Sequence, residues 1–408
     1  MKKKFKIGVI GLGYVGLPLA LSFSKYFNTC AYDYDEDRVK KIKTKVDLNK
    51  EVKIKKNKCI FDHRASVLAD CNIFIVSVPT PVDRNNIPDL KNILSATSVV
   101  SKYLKKNDIV VYESTVYPGT TEKICVPLIA KNTSMIPNKD FFYGYSPERV
   151  NPGDKSKTIE KIIKIVSGSN KKTLDTIDFI YSKIIKAGTF KVDKIEIAES
   201  AKIIENIQRD VNVALMNEFV KIFDKLKIDF NSILEAASTK WNFLNFKPGL
   251  VGGHCIGVDP YYLTYLASKK GFNPDLIIQA RKINEKMANF HSNKILNLLN
   301  KKIKGKKILI CGFSFKANCS DYRNTGVFKL YNILKKKNSK VDVFDPLINS
   351  KKVYLDHKLQ LVTKVKKNYY DVVVLAVDHK KFKKLGKKYF ENLLSKRGQI
   401  YDLKNLFS

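Results

Sequence analysis

The stretch I-G-V-I-G-L-G-Y-V-G-L-P-L-A, residues 7–20, decides the fold. An apolar run at 5–10 reads as a buried strand, and Gly11, Gly13 and Gly16 follow it at the head of an apolar helix over 15–26. A second strand at 29–32 closes on Asp33. In such a unit each residue has a task. The glycines permit a tight turn and close backbone approach, and the helix start offers unpaired N–H groups to a pyrophosphate. Asp33 can accept hydrogen bonds from both hydroxyls of a ribose and would repel a 2′-phosphate, which favours NAD over NADP; Arg38 nearby is the residue that would favour the phosphate. Gly11, Gly13, Tyr14, Val15, Gly16, Asp33 and Arg38 are the candidate cofactor residues.

Outward from this unit, apolar runs at 71–78 and 109–112 flank a helical stretch at 89–104, and strand-like pieces at 162–167 and 188–192 complete an alternation that builds a parallel sheet. From 195 to 226 the spacing becomes helical, with Ala198, Ala201, Ile204, Ile207, Val211, Leu215 and Phe219 three or four apart. A helix at 229–238, an irregular glycine-rich segment at 242–259 and helices to about 300 follow. The first architecture then recurs: strand 307–311, helix 324–336, strand 341–344 ending on Asp345, and a last strand at 371–377. The expected fold is α/β, with two doubly wound Rossmann-like domains, 1–193 and 304–408, joined by a long central helix and a helical region, 194–303.

Composition narrows the functional classes. With 408 residues, 44% hydrophobic and 28% charged, and only 19 Gly and 13 Pro, the chain is globular and large enough for two or three cores. Seven Cys without a C-x-x-C pair fit neither a disulfide framework nor a zinc ribbon, and point to a reducing cytoplasm. The net charge of +36 raises the question of nucleic acid. It comes from scattered Lys, with only eight Arg, and no basic stripe interleaved with aromatics, so no nucleic-acid partner is expected. The basic start and apolar run at 7–23 imitate a secretory signal, but four glycines break the run, no cleavage site follows, and no stretch elsewhere suggests membrane insertion.

Ser77-Val-Pro-Thr80-Pro81 and Glu113-Ser-Thr115 each follow an expected strand, at the sheet edge where doubly wound folds bind ligands; Thr80 and Thr115 can bond a nicotinamide ribose or a water, or simply cap helices. Cys255 lies in the glycine-rich segment F-K-P-G-L-V-G-G-H-C-I-G-V-D-P at 246–260, open to approach as a nucleophile, whereas the other six Cys read as buried and inert. His254 invites a Cys-His hydrolase reading, but adjacent side chains diverge. No spacing of His, Cys, Asp or Glu suggests a metal.

G-L-G-Y-V-G-L-P-L-A at 11–20, S-V-P-T-P at 77–81, E-S-T-V-Y-P-G-T at 113–120, Y-S-P-E-R-V at 145–150, A-K-I-I-E-N at 201–206, Q-R-D-V-N-V-A-L-M-N-E at 208–218, the cysteine loop, and G-F-S-F-K-A-N-C-S-D-Y-R-N-T at 312–325 run in order nearly end to end. Together they resemble the UDP-glucose/GDP-mannose dehydrogenase family. W-N-F-L at 241–244 and P-G-L-V-G-G-H-C-I-G-V-D-P-Y-Y-L at 248–263 are most similar to its bacterial UDP-N-acetylglucosamine 6-dehydrogenase branch of polysaccharide synthesis. Val258 stands where the UDP-glucose branch carries Lys, Tyr261-Tyr262 where the UDP-N-acetylmannosamine branch continues Trp-Phe, and Lys247 where the most similar branch has Arg.

The resemblance implies a four-electron, NAD-dependent oxidation of the C6 hydroxyl of UDP-N-acetylglucosamine, or its C4 epimer, to the uronate. UDP-glucose or UDP-N-acetylmannosamine are the alternative substrates. Cys255 would capture the aldehyde as a thiohemiacetal and carry the later thioester. Lys202 would stabilise the developing oxyanion, Asn206 and Asp259 would orient Lys202 and water, Glu148 would be the base for thioester hydrolysis, and Thr115 would hold a water. Glu148, Arg149, Lys202, Asn206, Arg209, Phe246, Gly249, Gly252, Lys316 and Arg323 would bind the UDP-sugar. Residues 1–193 would then be the NAD-binding domain, 194–303 a dimerisation region with the cysteine loop, and 304–408 the UDP-sugar-binding domain, in a cytoplasmic homodimer. Outside the family, a single-hydride dehydrogenase would share the first unit yet have no use for Cys255.

Overall fold

Alternation along the strands explains the layers. In β1 (Lys6–Ile10) the side chains of Ile7 and Val9 enter one buried cluster and Ile10 the other; in β4 (Ile73–Val76) Ile73 and Ile75 part from Phe74 and Val76 in the same way. A strand apolar on both faces must be covered on both, and helices do so here. The computed structural model describes residues 5–49, 52–150, 158–253 and 256–407.

The first of two compact units comprises Met1–Glu205 and Tyr261–Phe272. Its sheet adds β2 (Asn28–Tyr32), β3 (Ile60–Asp62), β5 (Ile109–Tyr112), β6 (Phe142–Tyr145), β7 (Lys164–Gly168) and β8 (Thr189–Lys191), in the order β3-β2-β1-β4-β5-β6-β7-β8. Neighbours are parallel except β6 and β7. The direction of strand addition reverses between β1 and β4, which leaves a crevice above their carboxyl ends.

The second unit comprises Asn206–Pro260 and Asn273–Ser408. Its sheet runs β10 (Lys340–Phe344), β9 (Lys307–Cys311), β11 (Tyr370–Leu375), β12 (Leu394–Asp402), all parallel, with the same reversal between β9 and β11. Ile308, Ile310, Val372 and Val374 pack on one face, and Leu309, Cys311, Val373 and Leu375 on the other. Each such side chain contributes about 1.5–3 kcal/mol by leaving water. The helix Ile195–Leu226, 32 residues long, has the expected bounds. Among the described residues no helix is long and apolar enough to cross a membrane.

Three strands depart from the expectation. β3 is too short for a period to show, β6 is built from Phe-Tyr-Gly-Tyr and pairs antiparallel with β7, and β12, not 371–377, is last. β12 is an edge strand whose Lys396 and Arg397 face water, so no apolar alternation announces it.

Candidate active site

The glycine loop after β1 behaves as its spacing requires. Gly11 has φ of +90°, and a Cβ there would lie 2.8 Å from the Ser77 carbonyl oxygen. A Cβ on Gly16 would overlap the Gly11 carbonyl, so the helix Gly16–Phe23 can start this close to the strand only with glycine. Gly13 faces open space. Tyr14 and Val15 lead into the helix, with Val15 packed on the core. Asp33 takes the Leu12 N–H at 2.7 Å on Oδ2 and the Asp35 N–H at 3.0 Å on Oδ1. Its side chain remains 9% exposed, with Arg38 Nε 3.9 Å away. Close backbone, an open flank at Gly13 and a carboxylate at the end of β2 fit a dinucleotide.

The loops after β4 and β5 meet. The Thr80 hydroxyl donates to the Thr115 carbonyl at 2.6 Å, the Ser114 hydroxyl to the Val78 carbonyl at 2.7 Å, and the Tyr262 hydroxyl to the Thr80 carbonyl at 2.7 Å. Beneath Thr115, the buried Glu113 carboxylate receives the Lys164 ammonium at 2.6 Å and the Tyr181 hydroxyl; Lys164 also donates to the Pro147 carbonyl at 3.0 Å. Burial pushes the Glu113 carboxyl up against the pull of Lys164. One ammonium thereby ties the residues flanking Thr115 to those flanking Glu148. Glu148 in turn lies 3.7 Å from Lys202, both nearly buried. Arg149 is spanned by Glu205 at 2.7 Å and the Ile163 carbonyl at 2.8 Å. Glu199, one helical turn before Lys202, takes the N–H groups of Gly119 (2.6 Å) and Thr121 (2.9 Å), and burial pushes its carboxyl up to about 7.

In the second unit Asn206 donates to Asp259 at 2.5 Å, and Arg209 donates to Asn206 at 3.2 Å. Asn217 clamps Gly249 from both sides, accepting its N–H at 2.8 Å and donating to its carbonyl at 3.1 Å. Behind it Asn284 and Arg281 reach the buried Asp210 at 2.8 and 2.6 Å. Gly252 and Gly253 pack against Phe315, close enough that a Cβ on Gly253 would lie 2.8 Å from the ring. Phe246 is half-buried on the same loop, and Lys404 Nζ sits against Gly249. Lys316 stacks beside Phe315, 5.4 Å from the ring centre, and Arg323 forms a two-pronged pair with Asp321 at 2.9 and 2.7 Å. Cys255, with His254, lies outside the described residues. Glu113, Lys164, Glu199, Asn217, Asn284 and Lys404 are supports that sequence reasoning did not single out as site residues; the seven-residue spacing of Asp210 and Asn217, which puts both on one helix face, was a usable signal.

The six described cysteines are free. Contrary to expectation, Cys30 and Cys59 are only partly buried, Cys59 packed against the core of the first sheet. Burial pushes the thiols of Cys59, Cys125 and Cys311 up, Cys125 to about 12, whereas a hydrogen bond from Cys71 lowers that of Cys30.

Comparison with known proteins gives this arrangement its context. The chain matches the UDP-glucose/GDP-mannose dehydrogenase family's NAD binding domain over residues 5–185, its central domain over 196–286 and its UDP binding domain over 309–408. It is 44% identical to UDP-N-acetyl-D-glucosamine 6-dehydrogenase of Salmonella typhi, over 98% of this chain and 96% of that one, and 43% identical to the protein of the same name from Pseudomonas aeruginosa, over 99% and 97%. Among solved structures, a UDP-D-ManNAc dehydrogenase from Pyrococcus horikoshii superposes with a TM-score of 0.89 at 30% identity, covering 99% of this chain and 96% of that one. This chain belongs to the UDP-glucose/GDP-mannose dehydrogenase family and carries that family's NAD-binding and UDP-binding domains.

Proposed function

We propose that this protein oxidises the C6 hydroxyl of UDP-N-acetylglucosamine to the carboxylate, consuming two NAD and one water and releasing two NADH. The observation that carries this reading is the end-to-end likeness, at 43–44% identity, to two proteins named for that activity. The Pyrococcus structure supports a second reading, the same reaction on UDP-N-acetylmannosamine.

NAD, held by the glycine loop and Asp33, supplies the hydride acceptor. Lys202 stabilises the oxyanion that develops on the C6 oxygen, and Asn206, bonded to Asp259, orients it from one turn along the same helix. Loss of one hydride and of the hydroxyl proton turns the C6 alcohol into the aldehyde; the Cys255 thiolate attacks it, forming a C–S bond while the carbonyl oxygen takes a proton, and loss of a second hydride from C6 together with that proton leaves a thioester. Glu148, beside Lys202, takes a proton from the water that attacks the thioester, and the thiolate departs. Thr115, held by Thr80, positions that water. Phe246, Gly249, Gly252, Lys316 and Arg323, with Arg149 and Arg209, form the UDP-sugar contacts.

We further assign a cytoplasmic homodimer. On the long helix Ile197, Ile204, Leu215, Ile222 and Leu226 are exposed at spacings of 7, 11, 7 and 4, which places them on one stripe. A second copy of the chain would cover it. Sedimentation should give about twice the chain mass, and Leu215→Asp about half of that value.

The primary test is NADH yield with limiting UDP-N-acetylglucosamine. Two NADH per sugar are expected, faster than with UDP-N-acetylmannosamine or UDP-glucose, and Cys255→Ser should produce no uronate. One NADH per sugar, with Cys255→Ser fully active, would sink the mechanism.

A further inference from the structure

His379, just before the helix Lys380–Leu385, is fully buried, and both ring nitrogens are engaged. Nδ1 receives the backbone N–H of Asn318 at 2.9 Å. A backbone amide only donates, so Nδ1 carries the lone pair and the proton sits on Nε2. That nitrogen lies 3.1 Å from Asp345 Oδ2 and 3.3 Å from Ser314 Oγ. Asp345 Oδ2 also takes the N–H groups of Phe313 (2.7 Å) and Ser314 (3.1 Å), at the start of the turn that ends on Asn318. A single imidazole therefore joins the two ends of the turn 313–318. The Ser314 hydroxyl braces its middle by donating to the Lys316 carbonyl at 2.7 Å, and Asn318, at φ +58°, accepts the Lys380 N–H at 2.8 Å.

This turn presents Lys316 and sets Phe315 against Gly252 and Gly253. An apolar side chain could fill the same space without burying a polar hub whose every bond must be met, so the hub has a use beyond filling. We propose that His379 is a positioning residue for nucleoside diphosphate recognition: it holds the turn 313–318 in the shape that aims Lys316 and seats the glycine loop 249–253. This rests on the reading of the second unit as the UDP-binding one.

The test measures UDP and NAD affinities separately on the full chain, by calorimetry, with melting temperatures alongside. His379→Leu should raise the Kd for UDP about tenfold or more, and His379→Asn, which keeps an acceptor near the Nδ1 position, should raise it less. The Kd for NAD should stay within about twofold, and turnover should show a raised KM for the UDP-sugar with kcat changed less. Phe382→Leu, which alters the ring packed edge-on against His379 at 5.2 Å, should lower the melting temperature without moving UDP affinity. If His379→Leu fails to fold, His379→Asn carries the same comparison. UDP affinity that ignores His379, or UDP and NAD affinities that fall together with melting temperature in both variants, would overturn the role. Absence of UDP binding by the unaltered protein would overturn the nucleotide reading itself, and this role with it.

Discussion

The loop after β1 and the loop after β9 are built from the same parts and end in opposite states. Each begins with a glycine at strongly positive φ, +90° at Gly11 and +97° at Gly312, whose N–H bonds the last carbonyl of the neighbouring strand, Tyr32 at 2.9 Å and Phe344 at 2.8 Å. In each an aspartate beyond that strand takes N–H groups of the loop. Asp33 carries only two backbone donors, one on each oxygen, and its side chain is 9% exposed. Asp345 takes four donors, including His379, and its side chain is completely buried. A carboxylate so occupied has no capacity left for ribose hydroxyls. The same supersecondary unit thus recurs in the family's NAD-binding domain and in its UDP-binding domain, and on the function proposed above the second would meet its ligand through Lys316 and the glycine loop instead of the aspartate.

The comparison breaks most sharply at its glycines. Gly16→Ala would drive a Cβ into the Gly11 carbonyl, and should cost NAD affinity about a hundredfold or more while UDP binding stays within about twofold. Gly312→Ala, forced against Val377, should show the reverse pattern. Equal losses of both ligands from either variant would show that the two loops are not separate binding elements. Next comes Asp345→Asn, which sets an amide against backbone donors and should lower stability by about 2 kcal/mol in urea titrations, with UDP affinity falling as well. Asp33→Asn sets an amide against one of two backbone donors and should lower stability by about 1 kcal/mol, less than Asp345→Asn with its four donors, while weakening NAD about tenfold by fluorescence titration, and Asp33→Ser should open NADP binding through Arg38.

The smallest effect concerns acidity. Glu199 has a carboxyl raised to about 7, so its proton is held more tightly in the folded state than in the unfolded one. Stability of the first unit should therefore rise as pH falls, by about 1 kcal/mol between pH 8 and pH 6, and Glu199→Gln should remove that slope. Asp345 is the opposite case. Burial alone would raise its carboxyl, but donors from His379 and the backbone hold it below its ordinary value of 3.8. Its contribution is complete across this pH range and fades only in stronger acid. Hydrogen exchange should show the Gly119–Thr121 amides gaining protection from pH 8 to 6 while those of Phe313 and Ser314 do not change; parallel behaviour would erase the distinction.

What the chain reveals before folding follows from distance along it. The glycine spacing, Asp33, the recurrence at 307–345 and the long helix are local patterns, and the structure has them where the periodicity puts them. Lys164 meets Glu113 across 51 residues, Asn284 meets Asp210 across 74, and His379 meets Asn318 across 61. Nothing near Lys164 distinguishes it from dozens of other lysines, and nothing near His379 announces a turn 61 residues earlier. Those pairings exist only once the sheets have brought distant loops together.

The cysteines give the enzyme a countable handle. Thiolates, not thiols, react with electrophiles, and burial keeps Cys59, Cys125 and Cys311 protonated at neutral pH. A mild alkylating reagent therefore has a short roster of targets, with partly buried Cys30 among the described residues and, on the mechanism proposed above, Cys255 as the nucleophile. With Cys30→Ala as background, the label taken up per chain becomes a direct census of competent sites. Protection of that label by UDP-sugar would then report occupancy without any turnover at all.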